Sequence, residues 1–191
     1  MSIGAWIGLG IGAFVIITII AIFVWYVSTF NKFVRLKNNA EEGFSTMDVC
    51  MKERYDLIPN VVETVKGYAK HEKETLTNVI EARNKAVSAT TTEEKMKAEG
   101  DFSKVMSKLL MLTENYPELK ANANFSSLQD QLANLETKIA NSRKYYNACV
   151  KEFNILVESF PSNIVANSKG YKKMQMFEIP EEHRENVKVQ F

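Results

Sequence analysis

Residues Ile3 to Tyr26 read IGAWIGLGIGAFVIITIIAIFVWY, a run of 24 residues without a charge. At ~1.5 Å of rise per residue it makes roughly 36 Å of helix, enough to cross a ~30 Å hydrocarbon core with some tilt. Trp6 stands near one end, Trp25 and Tyr26 at the other. The stretch between the tryptophans is roughly 28 Å of helix, close to the spacing of the two interfacial aromatic belts of a bilayer. A cleaved signal sequence would want a basic start, a shorter apolar stretch and small residues at its end. Here the bulky WYVSTFNKF closes the run. The reading is a transmembrane anchor over residues 1–29, with Trp6, Trp25, Tyr26, Lys32 and Arg35 as its interfacial residues.

Working outward, no charged side chain occurs before Lys32, and Lys32, Arg35 and Lys37 follow the span. The positive-inside rule then predicts the N-terminus outside and the rest of the chain in the cytoplasm. Gly4, Gly8 and Gly12 recur every four residues along one face. That spacing lets two membrane helices approach closely and predicts self-association through the anchor; glycine is also simply common in membrane helices.

Beyond the anchor the chain is polar and helical in pattern. It has 24 Lys+Arg against 23 Asp+Glu, a balance unsuited to a phosphate-dominated nucleic-acid binder. Apolar residues recur at helical spacing: Phe33, Leu36, Ala40, Phe44, Met47 and Met51; then Val62, Val65, Ala69, Leu76 and Val79; then Phe102, Val105, Leu109 and Leu112; then Leu128, Leu132, Leu135, Ile139, Tyr146, Val150 and Phe153. Pro59 lacks an amide proton and disfavours helical dihedrals at Ile58, so it breaks or kinks the chain. Thr92, ahead of Glu93 and Glu94, suits a helix start, as do Asn124 and Ser126. Pro117 and Pro161 end helices. The expectation is an all-α fold: helices near 30–57, 60–89, 93–115 and 125–159, connected as an antiparallel up-and-down bundle. The bundle has four helices, or three if the chain only kinks at Pro59. It fills residues 30–160, with an irregular tail over 161–191. In that tail Met174, Met176, Phe177 and Ile179 could dock on the bundle or a protein partner, and the ending VKVQF suits an extended strand in a groove; the favoured reading is nevertheless a frayed tail.

Polar residues interrupt the apolar stripes: Arg54, Glu72 and Arg83 in one region, Glu136, Arg143, Asn147 and Asn154 in another, the latter at intervals of seven or four. Buried charges must be paired, so these read as a polar network fixing helix register, or else as a site for an anionic ligand. In the first case Arg143→Ala strands a carboxylate. Catalytic signatures are missing. Neither His71 nor His183 has a glutamate three residues ahead, as di-iron bundles require, and Thr75 stands where a zinc-binding HEKET would need a second histidine. Cys50 and Cys149 fit neither a disulfide framework nor a zinc site. No cofactor or metal is expected.

Several longer stretches are more specific. RYDLIPNVVETVKGYAKHE (Arg54–Glu72), EAR (Glu81–Arg83), ENYPELKANANFSSLQDQL (Glu114–Leu132), ETKIANSRKYYNACVKEFN (Glu136–Asn154) and FPSN (Phe160–Asn163) together resemble the LemA family of bacterial membrane proteins. The resemblance covers nearly the whole chain after the anchor. It implies one N-terminal span, an antiparallel four-helix bundle and a bacterial plasma membrane. Its functional content is small. The expectation is a non-enzymatic, membrane-anchored scaffold that self-associates, its partners being the bilayer, further copies of itself and a protein met through the tail. The alternative is a module that binds or remodels the membrane surface.

Overall fold

The computed structural model of the chain describes residues 3–177, and its regular structure there is helical throughout. The helices are α1 (Ile3–Tyr68), α2 (Lys73–Ser88), α3 (Thr92–Thr113), α4 (Pro117–Lys120), α5 (Ala123–Glu158) and α6 (Ser162–Lys169). The described residues divide into two compact units: residues 3–41 with 148–174, and residues 42–147 with 175–177. VKVQF, Ile179 and His183 lie outside the described residues.

The larger unit is the bundle, and its pairings fix the direction of each helix. From α1 to α3, Asp48 meets Lys95 and Arg54 meets Glu99, and beyond their ends Glu72 meets Tyr116, so these two run parallel. From α1 to α5, Tyr68 meets Asn122, Arg54 meets Glu136, and the Phe44 ring lies 5.8 Å from that of Tyr146, so these two run antiparallel. α2 returns between α1 and α3 through connections of three or four residues. The up-and-down architecture read from the sequence is the one found.

Its first boundary is elsewhere. α1 does not end at Pro59 but runs through it to Tyr68, and the break expected there falls between Tyr68 and Lys73. The fourth bundle helix is preserved because the chain turns at that later point. Pro59 has no amide to donate to the Tyr55 carbonyl four residues back, which would leave that acceptor orphaned. Arg83 on α2 supplies the missing donor: its Nε donates to Tyr55 O at 3.2 Å. A tertiary contact therefore replaces the helical bond that proline removes. Gly67 weakens the last turn of α1, and the link beyond it is tied down by Tyr116, whose hydroxyl donates to Glu72 Oε1 at 3.2 Å.

The other starts have local causes. Thr91, one residue ahead of the expected cap, accepts from the Glu94 amide at 3.2 Å while Glu94 Oε2 accepts from the Thr91 amide at 3.1 Å, a reciprocal capping box. These backbone donors hold the Glu94 carboxyl below its usual range. Asn122, rather than Asn124 or Ser126, caps α5. Its Oδ1 accepts from the amides of Asn124 and Phe125, and its Nδ2 donates to the Tyr68 hydroxyl. Gly43 permits close approach of α1 to α5, since a Cβ there would meet Tyr145 Cδ1 at 2.8 Å and Tyr146 Cα at 3.4 Å.

In the smaller unit, α1 carries the apolar run, exposed along residues 6–24, and then a core of Phe33, Phe153, Val165 and Ala166. Phe33 meets Phe153 edge-on at 5.4 Å and stacks on Tyr171 at 5.0 Å. The segment expected to be irregular contains α6. Gly170 ends that helix with φ 69°, a conformation that favours glycine, and Tyr171 N then donates to Ala166 O at 3.0 Å.

The Arg83 contact yields a double-mutant cycle. Arg83→Met is expected to destabilise the protein by about 1 kcal/mol more with Pro59 present than in a Pro59→Ala background, where the new residue supplies its own amide. Urea melts of the four proteins measure the coupling; strictly additive changes would refute the repair.

Candidate functional site

The largest fully buried side chain is that of Arg54, at 1% exposure. A cation there must be paired, and α3 and α5 supply the partners. One terminal nitrogen donates to Glu99, itself 1% exposed, and the other to Glu136, whose side chain is half exposed at the bundle surface. Glu99 is also saturated: its Oε2 accepts from the Tyr55 hydroxyl at 2.6 Å and its Oε1 from Ser103 Oγ at 3.1 Å. The guanidinium lies 4.8 Å from the centre of the Phe102 ring, within cation–π range. Burial alone would lower the Arg54 pKa, but Glu99 and Glu136 outweigh it and raise it above the ordinary value. Burial and the Glu99 carboxylate push the Tyr55 phenol up. Arg54 thus stays a cation and Tyr55 a neutral donor.

A groove of about 490 Å³ opens over this pair, lined by Ser103, Met106, Leu132, Glu136, Arg143 and Arg54 itself. Arg54 and Arg143 each keep a buried Nε without an acceptor. Both side chains line the groove, so an acceptor bound there would meet guanidinium groups.

The polar residues read from the sequence do not form one network. Arg54 and Glu136 come together. Arg83 serves the Tyr55 carbonyl and lies 3.5 Å from Asp56. Glu72 sits at the α1–α2 link with Tyr116. Arg143 makes no ion pair among the described residues: its guanidinium lies 5.0 Å from the centre of the Phe177 ring. Asn147 and Asn154 hold the tail. Asn154 donates to Met174 O and accepts from Met174 N, at 2.9 and 2.8 Å; Asn147 does the same for Phe177, at 2.9 and 2.8 Å. Tyr146, whose phenol is pushed up by burial, donates to Gln175 O at 2.8 Å. Of the tail residues expected to dock, Phe177 is buried, Met174 is half-buried and Met176 is exposed.

Glu99 and Tyr55 were absent from the sequence reading. Glu99 was detectable as a carboxylate three residues ahead of Phe102, on the apolar stripe of α3. Cys50 and Cys149 are buried free thiols, and His71 is exposed at the link. Among the described residues no three His, Cys, Asp or Glu side chains converge as a metal would require.

At the N-terminal end, Trp6 and the apolar residues through Val24 are exposed on every side of α1, an apolar surface far beyond what a monomer presents to water. Gly8 and Gly12 have open space around them, and Gly4 is exposed. Lys32 and Arg35 are exposed, whereas Trp25 and Tyr26 are half-buried and pack on the core of their unit.

An exposed, membrane-length apolar helix leading into an antiparallel four-helix bundle defines a membrane-associated all-α protein. The chain matches the LemA family across residues 43–191 and belongs to that family. It is 25% identical to protein LemA of Metamycoplasma hominis over 175 residues, covering 91% of this chain and 80% of that protein. It is 22% identical to magnetosome protein MamQ 1 of Paramagnetospirillum magneticum over 189 residues, covering 85% and 70% respectively. The magnetosome protein MamQ of Magnetospirillum gryphiswaldense is 21% identical over 188 residues, covering 85% and 69%.

Removing one partner of the buried pair should cost more than removing both. Arg54→Ala is expected to destabilise the bundle by about 3–5 kcal/mol, because Glu99 is left buried without its cation. Arg54→Met with Glu99→Met should be milder than either single change. Thermal melts of these variants test this; an unchanged melting temperature for Arg54→Ala would refute the role given to the pair.

Proposed function

We propose that this protein is a non-enzymatic scaffold, anchored by a single span in a bacterial plasma membrane and self-associating through that span. The observation that carries the reading is the apolar face of α1 on which Gly4, Gly8 and Gly12 stand one helical turn apart, with open space around Gly8 and Gly12. In lipid, such small residues allow backbones to approach closely enough for dispersion and weak hydrogen bonds to act. The bundle then serves as a folded body carried by the oligomer, with the groove over Arg54 and the tail as its surfaces for a protein partner.

Lys32, Arg35 and Lys37 follow the span, and the positive-inside rule places the bundle in the cytoplasm. Protease should therefore digest the bundle in inside-out vesicles and spare it in intact cells; the opposite pattern reverses the orientation. A second reading, a module that binds or remodels the membrane surface, draws on the same basic residues, which are attracted to anionic headgroups.

Self-association has a direct test. Full-length protein in mild detergent or nanodiscs should be oligomeric, and Gly8→Leu should shift it toward the monomer with the helical signal unchanged. A monomeric parent, or a Gly8→Leu variant of unaltered size, would overturn the glycine-face reading.

A further inference from the structure

We propose that the α5–α6 corner, carrying Phe160 and Ile164, is a second membrane contact that enters the headgroup region of the bilayer beside the span. The inference rests on the anchored reading of α1 and goes beyond it. Within the smaller unit, three contacts fix how the chain after α5 lies along α1. Tyr171 stacks on Phe33, Lys169 Nζ lies 5.1 Å from the centre of the Phe30 ring, and Ser168 Oγ is 3.0 Å from the Tyr26 hydroxyl. From Tyr171 back to Ser168, the partners step from Phe33 to Tyr26, toward the apolar run. α5 leads to the same end: past Phe153, which meets Phe33, it runs on for five more residues to Glu158, two residues before Phe160. The corner that joins α5 to α6 therefore lies toward the exposed apolar run of α1.

Their surroundings agree. α6 turns Val165 and Ala166 into the core shared with Phe33 and Phe153, which fixes the helix against α1. Ile164 is left outward at 52% exposure and Phe160 at 80%, in the same unit as the exposed Phe23 and Val24. An aromatic ring and a branched aliphatic side chain held outward beside a lipid-facing helix extend its apolar surface sideways. Exposed Lys32, Arg35 and Lys172 in the same unit supply cations for lipid phosphates. Glu158, the acidic residue closest in sequence to the corner, is paired with Lys173. Outward apolar side chains with basic ones in the same unit make the pattern of an interfacial membrane contact. The occupant is the lipid surface, because the patch continues the surface that lipid already covers on α1.

Photo-crosslinking of the full chain in membranes tests this. A benzophenone amino acid is placed singly at Phe160, at Ile164, at Phe14 in the span, and at Met111, an exposed residue of α3. After irradiation, adducts are identified by mass spectrometry. The expected result is lipid adducts at 160 and 164 approaching the yield at 14 and several-fold above that at 111. Yields at 160 and 164 no greater than at 111, with lipid captured at 14, would overturn the second contact and leave the anchor intact. Adducts at 160 or 164 to a second copy or another protein would overturn it likewise. Failure to capture lipid at 14 would remove the anchored reading and this inference together.

Discussion

A guanidinium group withdrawn from water among helices must meet carboxylates there, and Arg54 meets them on two different helices. The cost of desolvating an unpaired cation makes any sliding of α3 or α5 against α1 unfavourable, because Glu99 and Glu136 would move out of reach. Hydrophobic burial alone tolerates such slippage, since one apolar contact replaces another at similar energy. Around the pair, the ring of Phe102 covers the guanidinium while Tyr55 and Ser103 occupy the remaining acceptor capacity of Glu99. Half-exposed Glu136 is held more loosely than Glu99, so the arrangement has a fixed inner side and an outer side facing a groove.

Helices and their order were legible because apolar spacing is written locally along the chain. The boundary at Pro59 was misread because the rule for proline considers only its neighbours. Pro59 does remove one helical hydrogen bond; what the local rule does not contain is Arg83, brought back by α2 to the carbonyl left over. The polar residues were singled out by position on the stripes, and that much of the site was readable. Their partners were not, since a spacing of seven on α5 says only that two side chains share a face. Asn147 and Asn154 indeed share one, and what lies against them is main chain from a segment read as an irregular tail. Glu99 is harder to single out: of the two carboxylates just ahead of Phe102, Glu99 and Asp101, local spacing alone does not say which is buried.

The end of the span shows how an apolar helix is joined to a folded unit. Trp25 and Tyr26 were read as belt residues facing headgroups. Each also rests on protein, packed against the core that α6 completes, with the Tyr26 hydroxyl within hydrogen-bond distance of Ser168. Aromatic side chains suit both duties, since an apolar ring and a polar edge or hydroxyl can face different surroundings. Folding of α6 onto α1 thus brings chain from the far end of the sequence against the segment that follows the apolar run.

Holding the tail by carboxamides has an evolutionary corollary. Each asparagine grips an amide and a carbonyl of the main chain, groups that nearly every amino acid provides. The exposed Lys172, Gln175 and Met176 are therefore free to mutate in charge and size without loosening these grips, whereas Lys173 also pairs with Glu158. At Met174 and Phe177 the backbone requirement forbids proline alone, which offers a carbonyl but no N–H. The exposed positions of the segment can drift in composition across descendants while the segment keeps its place, provided that the two asparagines and the packed Met174 and Phe177 persist.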